Sequence, residues 1–169
     1  MSVRIRPETA ADVPAIREVN ALAFGRPAEA DLVDALRAAG ALACSLVAVT
    51  AAEVVGHIAF SPVTVARQPG PFFGLGPVAV RPDWQRQGIG GQLIRRGLEV
   101  LRAQGAAGVV LLGHPGYYPR FGFRPASNFG LRLLWDVTPE AFMVLCFCEI
   151  EPGTLGGLVR YHPAFDMVT

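Results

Sequence analysis

The sequence predicts one domain of the α/β (α+β) class, in which strands and helices alternate along 169 residues. Three observations favour this class. Strand-like apolar segments and helical periodicities follow one another in the order β, α, α, β, β, β, α, β, α, β. Hydrophobic residues make up 51% of the chain, which is ample for a single buried core. A glycine-rich turn joins an apolar strand to the clearest helix.

The N-terminal part begins with a strand at residues 3–6, followed by two helices. The first helix, residues 9–24, has one face at helical spacing that is formed by Val13, Ile16, Val19, Asn20 and Ala23. Pro27 is suited to the first turn of the second helix, which we expect to end near Gly40.

Three strands are predicted next. Residues 46–50 and 54–65 form a hairpin closed by residues 51–53, and residues 72–80 form the third strand, which Pro82 ends. Farther along, residues 109–112 are a buried strand and residues 141–150 the last one. A short helix at Tyr118 and a loop lie between these two.

The turn before the clearest helix is built for an anion. Residues 78–93 are V-A-V-R-P-D-W-Q-R-Q-G-I-G-G-Q-L, with glycine at positions 88, 90 and 91. Glycines let main-chain N–H groups converge at a helix N-terminus, where unpaired donors and the helix dipole favour negative charge. Arg86 adds a positive charge. The following helix presents an apolar face made of Ile89, Leu93, Gly97, Leu98 and Leu101, and Gly105 ends it.

Two other nucleotide-binding motifs do not fit this turn. A P-loop ends in Gly-Lys-Ser/Thr, and this chain contains no lysine. A dinucleotide fingerprint requires a glycine at its sixth position, where Leu93 stands when the motif is counted from Gly88. A tight turn without a ligand is the simpler alternative.

Two motifs carry a resemblance to a known family. The pattern Gln85-x-x-Gly88-x-Gly90 resembles the pyrophosphate-binding signature of the GNAT superfamily, the acetyl-CoA-dependent N-acetyltransferases. Residues 112–123, L-G-H-P-G-Y-Y-P-R-F-G-F, place Tyr118 four positions before a Gly-Phe pair, as a short helix of that family often does. This string and V-R-Y-H-P-A-F at residues 159–165 are similar to small bacterial predicted N-acetyltransferases.

The resemblance implies that residues 1–169 form a single GNAT domain, with a mixed, mainly antiparallel sheet flanked by helices on both faces. In the family, the strand matching residues 75–80 separates from its neighbour at a bulge, and Gly76-Pro77 fits such a departure from regular pairing. The cosubstrate implied is acetyl-CoA, with no metal. The residues implied to bind it are Val78, Ala79, Val80, Gln85, Arg86, Gln87, Gly88, Ile89, Gly90 and Gly91, with Val78 and Val80 acting through their main chains.

The implied reaction is direct attack of a primary amine on the acetyl thioester. Tyr118 is the candidate general acid for the leaving sulfur, because a tyrosine keeps its proton at neutral pH. Many relatives carry a glutamate base on the strand before the turn, but residues 72–80 contain no carboxylate. His57 and His114 are the nearest candidates, with three carboxylates more remote: Glu53, Asp83 and Asp136. We therefore expect water-mediated deprotonation.

The acceptor is not specified beyond a small-molecule or peptide amine, and residues 24–27 and 126–136 are expected to shape its site. A formal charge of +1 with scattered charges predicts no nucleic-acid partner. The absence of long apolar runs predicts no membrane association and a cytoplasmic protein. Cys44, Cys146 and Cys148 are interpreted as core residues. A homodimer, a silent acyl-CoA-binding or sensor domain, and a ligand-free interaction domain stay open.

Overall fold

The computed structural model describes residues 2–169, which form nine strands and three α-helices. The strands are β1 (Arg4–Pro7), β2 (Cys44–Val49), β3 (Val54–Arg67), β4 (Phe72–Val80), β5 (Gly108–Leu112), β6 (Arg124–Pro125), β7 (Leu131–Arg132), β8 (Phe142–Cys146) and β9 (Gly156–Arg160). The helices are α1 (Val13–Phe24), α2 (Ala28–Ala38) and α3 (Ile89–Ala103). None of the helices within residues 2–169 combines the length and apolar character that crossing a bilayer requires.

The strands form one mixed sheet with the order β1-β2-β3-β4-β5-β8-β6. All pairs on this path are antiparallel except β4 with β5. The last part of β3 bends away to pair with β9, which also pairs in parallel with β7. The predicted mixed, mainly antiparallel sheet is therefore confirmed.

Helices cover both faces of the sheet because its strands alternate two sets of apolar side chains. Val47 and Val49 of β2 pack against α1, whereas Leu46 and Ala48 pack against α3. Helix α2 lies beside α1 and contributes Val33 to the same core. The predicted arrangement of helices on both faces is confirmed.

Helix α3 lies close to the sheet at Gly97. A methyl group added at Gly97 would overlap the ring of Phe60, which is fully buried on β3. The glycine therefore sets the distance between helix and sheet, and through it the position of the turn at the N-terminus of the helix.

Strands β4 and β5 pair only over their first residues. The register matches Phe72 with Gly108 and ends at Gly74 with Val110. Beyond that point, residues 75–80 have no strand partner on the β5 side. We call this opening the gap.

A bulge in β4 accompanies the gap. On β3, Ile58 pairs with Val78 and Phe60 pairs with Leu75, so one residue of β3 faces Gly76 and Pro77 together. The predicted departure from regular pairing at Gly76-Pro77 is confirmed. Proline has no N–H for a ladder, which makes this a natural place for the irregularity.

The C-terminal third departs most from the sequence prediction. The predicted strand at residues 141–150 ends at Cys146, and Cys148 is exposed rather than part of the core. Strands β6 and β7 have two residues each, too few for a periodic pattern. Strand β9 starts with Gly156 and Gly157, both with positive φ, and glycine is depleted in strands.

Gly97→Val should destabilise the fold. The larger side chain meets the Phe60 ring, and overpacking of this kind costs about 1–3 kcal/mol of unfolding free energy. Urea denaturation followed by circular dichroism measures the change. Ala103→Val, at the exposed end of the same helix, is the control and should cost much less; an equal loss in both variants would contradict the role of Gly97.

Candidate functional site

The main chain of β4 offers hydrogen-bonding groups to the gap. The N–H of Arg81 donates to the carbonyl of Val55 at 2.8 Å. Bonded and non-bonded pairs alternate along antiparallel strands, so the register makes Ala79–His57 a bonded pair and leaves Val78 and Val80 as non-bonded positions. The N–H and C=O groups of Val78 and Val80 therefore point away from β3, toward the gap.

A cavity of about 340 Å³, here called the apolar cavity, opens at the gap. On the sheet side it is lined by Leu75, Gly76, Pro77 and Val78. Leu112, the last residue of β5, and Tyr118, which follows that strand, line the opposite side, and helices α1 and α2 contribute Phe24, Glu29 and Leu32. The cavity thus lies where β4 and β5 have separated.

The C-terminal segment and the loop before β8 supply an aromatic wall for the apolar cavity. The rings of Trp135 and Phe165 each lie 5.0 Å, between centroids, from the ring of Tyr161. The Tyr161 ring also rests on Gly74, where an added Cβ would lie 2.6 Å from a ring carbon. Burial raises the pKa of the Tyr161 hydroxyl, so it stays neutral.

A second cavity of about 480 Å³, here called the polar cavity, lies at the N-terminus of α3. It is lined by the turn residues Gln85, Arg86, Gly88, Ile89, Gly90 and Gly91 together with Val80. Because Val78 lines one cavity and Val80 the other, the two cavities adjoin along the outer edge of β4.

The turn leaves several main-chain donors free. The first helical hydrogen bond runs from the N–H of Gln92 to Gly88, so the N–H groups of residues 89–91 have no helical acceptor. Gly88 has a φ of 82°, and Arg86 is the one non-glycine residue with positive φ, 64°, within residues 2–169. Strained conformations of this kind cluster at ligand sites.

Three arginines surround the polar cavity. Arg86 belongs to the turn, Arg95 stacks over Phe121 with its guanidinium carbon 4.9 Å from the ring centre, and Arg120 lies over Tyr117 at 4.3 Å. None of these guanidinium groups pairs with a carboxylate in the part of the chain that the structure describes. Together with the free N–H groups, they suit a group with several negative charges.

The two adjacent tyrosines divide between the cavities. Tyr117 lines the polar cavity, with its hydroxyl 3.8 Å from the position of a Cβ on Gly91. Tyr118 lines the apolar cavity, and its ring rests on Gly113, where a side chain would overlap it. Burial raises the pKa of the Tyr118 hydroxyl, and Tyr117 acts in the same direction, so Tyr118 carries its proton at neutral pH.

Most residues predicted to bind the cosubstrate lie at these two cavities. Ala79 and Gln87 do not line either one; the side chain of Ala79 is buried against α1 and Gln87 is exposed. The side chain of Gln85 donates to the carbonyl of Val80 at 2.9 Å, which fixes the turn to the strand. Sequence reasoning missed Arg95 and Arg120, because nothing in the local sequence indicates that both reach the turn.

The candidate bases do not line the apolar cavity. His57 has no exposed surface and His114 lies on the outside of the turn before Tyr118. The remote carboxylates Glu53, Asp83 and Asp136 are exposed and line neither cavity. Glu29 is the carboxylate side chain that does line the apolar cavity, and sequence reasoning did not identify it.

His57 belongs to a buried polar chain instead. Asn20 Nδ2 donates to His57 Nδ1 at 3.2 Å, so His57 Nε2 carries the proton and donates to Ser45 Oγ at 2.9 Å. Ser45 donates to Glu8, which also receives two hydrogen bonds of 3.0 Å from Arg37. Burial lowers the pKa of His57 to about 4, so the neutral ring is a structural link between α1 and β2.

Residues 4–126 match the family model described as "Acetyltransferase (GNAT) domain". The N-acetyltransferase YhbS of Escherichia coli is 39% identical over 163 residues, which are 96% of this chain and 98% of YhbS. The crystal structure of YhbS in complex with CoA matches with a TM-score of 0.92 over 97% of this chain and 92% of that chain. A GNAT family acetyltransferase from Brucella melitensis in complex with acetyl-CoA is 45% identical, with a TM-score of 0.82 over 98% and 99% of the two chains.

His57→Gln should flatten the pH dependence of stability between about pH 6.5 and about pH 4.5. A histidine in the unfolded chain titrates near pH 6.5, whereas buried His57 does so near 4. The unfolded state binds the proton first, so the native free energy of unfolding should fall by about 1.4 kcal/mol per pH unit as the pH drops through this window. Urea denaturation at a series of pH values measures the slope.

Carboxylates do not obscure this window. Burial alone would raise the pKa of Glu8, but hydrogen bonds from Arg37 and Ser45 lower it. The contribution of Glu8 to the free energy of unfolding is therefore lost only at more acidic pH. The exposed His114, changed to Gln, is the matched control and should keep the native slope. Equal slopes for the native protein and His57→Gln would show that His57 is not held neutral by burial.

Proposed function

The chain belongs to the GNAT family of acetyltransferases, and on that premise we propose that it transfers an acetyl group from acetyl-CoA directly to a primary amine. The observation that carries the proposal is the juxtaposition of the two cavities. One cavity has the free N–H groups and arginines that suit phosphates, and the other contains Tyr118. The gap in the sheet links them.

The proposed cosubstrate path follows β4. The pyrophosphate binds in the polar cavity, at the N-terminus of α3 and beside Arg86, Arg95 and Arg120. The pantetheine arm follows the edge of β4 and exchanges hydrogen bonds with the outward main-chain groups of Val78 and the N–H of Val80, whose carbonyl accepts from Gln85. The acetyl thioester then reaches the apolar cavity. The similar E. coli and B. melitensis proteins, which hold CoA and acetyl-CoA, support this assignment.

In the proposed reaction, the proton lost by the amine nitrogen is matched by the proton gained by the sulfur. The amine nitrogen attacks the carbonyl carbon and forms the C–N bond, the C–S bond breaks, and one proton leaves nitrogen while one arrives at sulfur. The neutral amine is the nucleophile, so its ammonium form must first lose a proton. Because His57 and His114 do not line the apolar cavity, and both carboxylate oxygens of Glu29 accept hydrogen bonds from Arg26, we assign this step to water.

Tyr118 is proposed to act on the sulfur. Full proton transfer from a tyrosine of pKa about 10 to a thiolate whose acid has pKa about 8.5 is uphill by about 2 kcal/mol. Burial of Tyr118 widens this difference. The hydroxyl therefore contributes as a hydrogen-bond donor while the C–S bond breaks, with proton transfer coupled to departure of CoA.

A catalytically silent acyl-CoA-binding domain is the alternative function. Such a domain needs the polar cavity and has no use for a tyrosine hydroxyl at the thioester. The half-buried ring of Tyr118, seated on Gly113 beside the gap, favours the enzyme.

Gly90→Trp should weaken acetyl-CoA binding at least about 10²-fold, because the indole would occupy the polar cavity. A Cβ at Gly90 meets no atom nearer than 4.0 Å and its φ is not positive, so the fold should tolerate the change. Isothermal titration calorimetry measures binding. Ala103→Trp, at the far end of α3, should bind normally, and native affinity in a folded Gly90→Trp protein would refute the cofactor site.

Tyr118→Phe should lower kcat by about 10²-fold with little change in the KM for acetyl-CoA, because the hydroxyl acts on the leaving group. Thiol release measures both constants. Tyr117→Phe is the matched control: its hydroxyl faces the turn, so its loss should alter the KM for acetyl-CoA more than kcat. An unchanged kcat in Tyr118→Phe would leave Tyr118 as a wall of the cavity only.

A further inference from the structure

We propose that the acetyl acceptor is a small primary amine with an aromatic or branched apolar body and no carboxylate, and that Glu29 enforces the exclusion of the carboxylate. This inference rests on the proposed function, because it takes the apolar cavity as the acceptor site. It concerns the chemistry of the acceptor, which membership of the family does not specify.

The walls of the apolar cavity call for an apolar body. Trp135, Tyr161 and Phe165 form a contiguous aromatic wall, and Leu32 and Phe24 face the same space. Aromatic groups pack on such walls by offset or edge contacts. A polyhydroxylated amine would leave most of its hydroxyls unpaired here, which disfavours its binding.

Exposed apolar side chains occur in the segments that line the cavity. The large hydrophobic side chains that are exposed within residues 2–169 are Leu22, Phe24, Leu134 and Met167. Phe24 lines the cavity, Leu134 and Met167 each precede a lining residue, and Leu22 lies on the last turn of α1. The segments that line the cavity thus carry the exposed large apolar side chains, which is typical of a surface that binds apolar ligands.

Glu29 brings charge into this apolar setting. Its side chain is 9% exposed, and it lies in the first turn of α2, where the helix dipole favours an anion. Arg26 donates to both carboxylate oxygens but is 52% exposed and does not line the cavity. Because Glu29 lines the cavity and Arg26 does not, the cavity lies nearer the negative member of this ion pair, which favours an ammonium and disfavours a second carboxylate.

Three related amines test the two halves of the proposal. Phenylalaninamide, glycinamide and phenylalanine all present an α-amine, and kcat/KM is measured by thiol release and expressed per neutral amine. Phenylalaninamide should exceed glycinamide by about 10²-fold because of its apolar body. It should exceed phenylalanine by at least about tenfold because of the carboxylate.

Variants assign these preferences to residues. Glu29→Gln should reduce the ratio between phenylalaninamide and phenylalanine to about one-third of its native value or less, and exposed Glu140→Gln should leave it unchanged. Trp135→Ala should raise the KM for phenylalaninamide about tenfold and leave that for glycinamide nearly unaltered. Each ratio is taken within one protein sample, so a partly unfolded variant still reports it correctly.

The outcomes separate this inference from the proposed function. Acetylation that favours glycinamide or glucosamine overturns the apolar acceptor and leaves the transferase intact. A tenfold preference for a peptide beginning with Phe over phenylalaninamide overturns the small acceptor. A native ratio in Glu29→Gln overturns the role of Glu29. Failure of every amine to release thiol from a protein that binds acetyl-CoA overturns the transferase and this inference together.

Discussion

Loss of pairing between β4 and β5 after Gly74 is the constraint on which the rest of the site depends. Main-chain N–H and C=O groups at such an edge need partners, and a ladder that ends early leaves those of Val78 and the N–H of Val80 directed into the gap, while Gln85 donates to the Val80 carbonyl. The bulge at Gly76-Pro77 shapes the same stretch of strand. Both cavities border it, so an extended molecule can lie along the strand in place of the missing neighbour.

The sequence predicted the elements whose local signals coincide. Helix α3, its turn and β4 were found because apolar periodicity, glycine and proline all mark the same boundaries. Asn20 was predicted on the inner face of α1, and its bond to His57 explains a polar residue there. The short strands β6 and β7 could not be found, since two residues carry no period.

The site was predicted in part for a related reason. Gln85, Arg86 and the three glycines lie within one short segment, so the sequence itself shows them together. Arg120 and Glu29 reach the cavities from separate elements, and only the packing of the sheet brings them there. Residue type alone does not decide the role of a histidine on a strand, which could be a base. Burial does decide it for His57, because full enclosure between Asn20 and Ser45 makes this histidine structural.

The contact between Gly74 and Tyr161 links the depth of the apolar cavity to the sheet. The Tyr161 ring occupies the space that a side chain at position 74 would fill. Alanine at position 74 would displace the Tyr161 ring toward Trp135 and Phe165 and make the cavity shallower. Two proteins of this fold could therefore carry identical loops around the opening and still accept amines of different length, through a single methyl group in the middle of a strand.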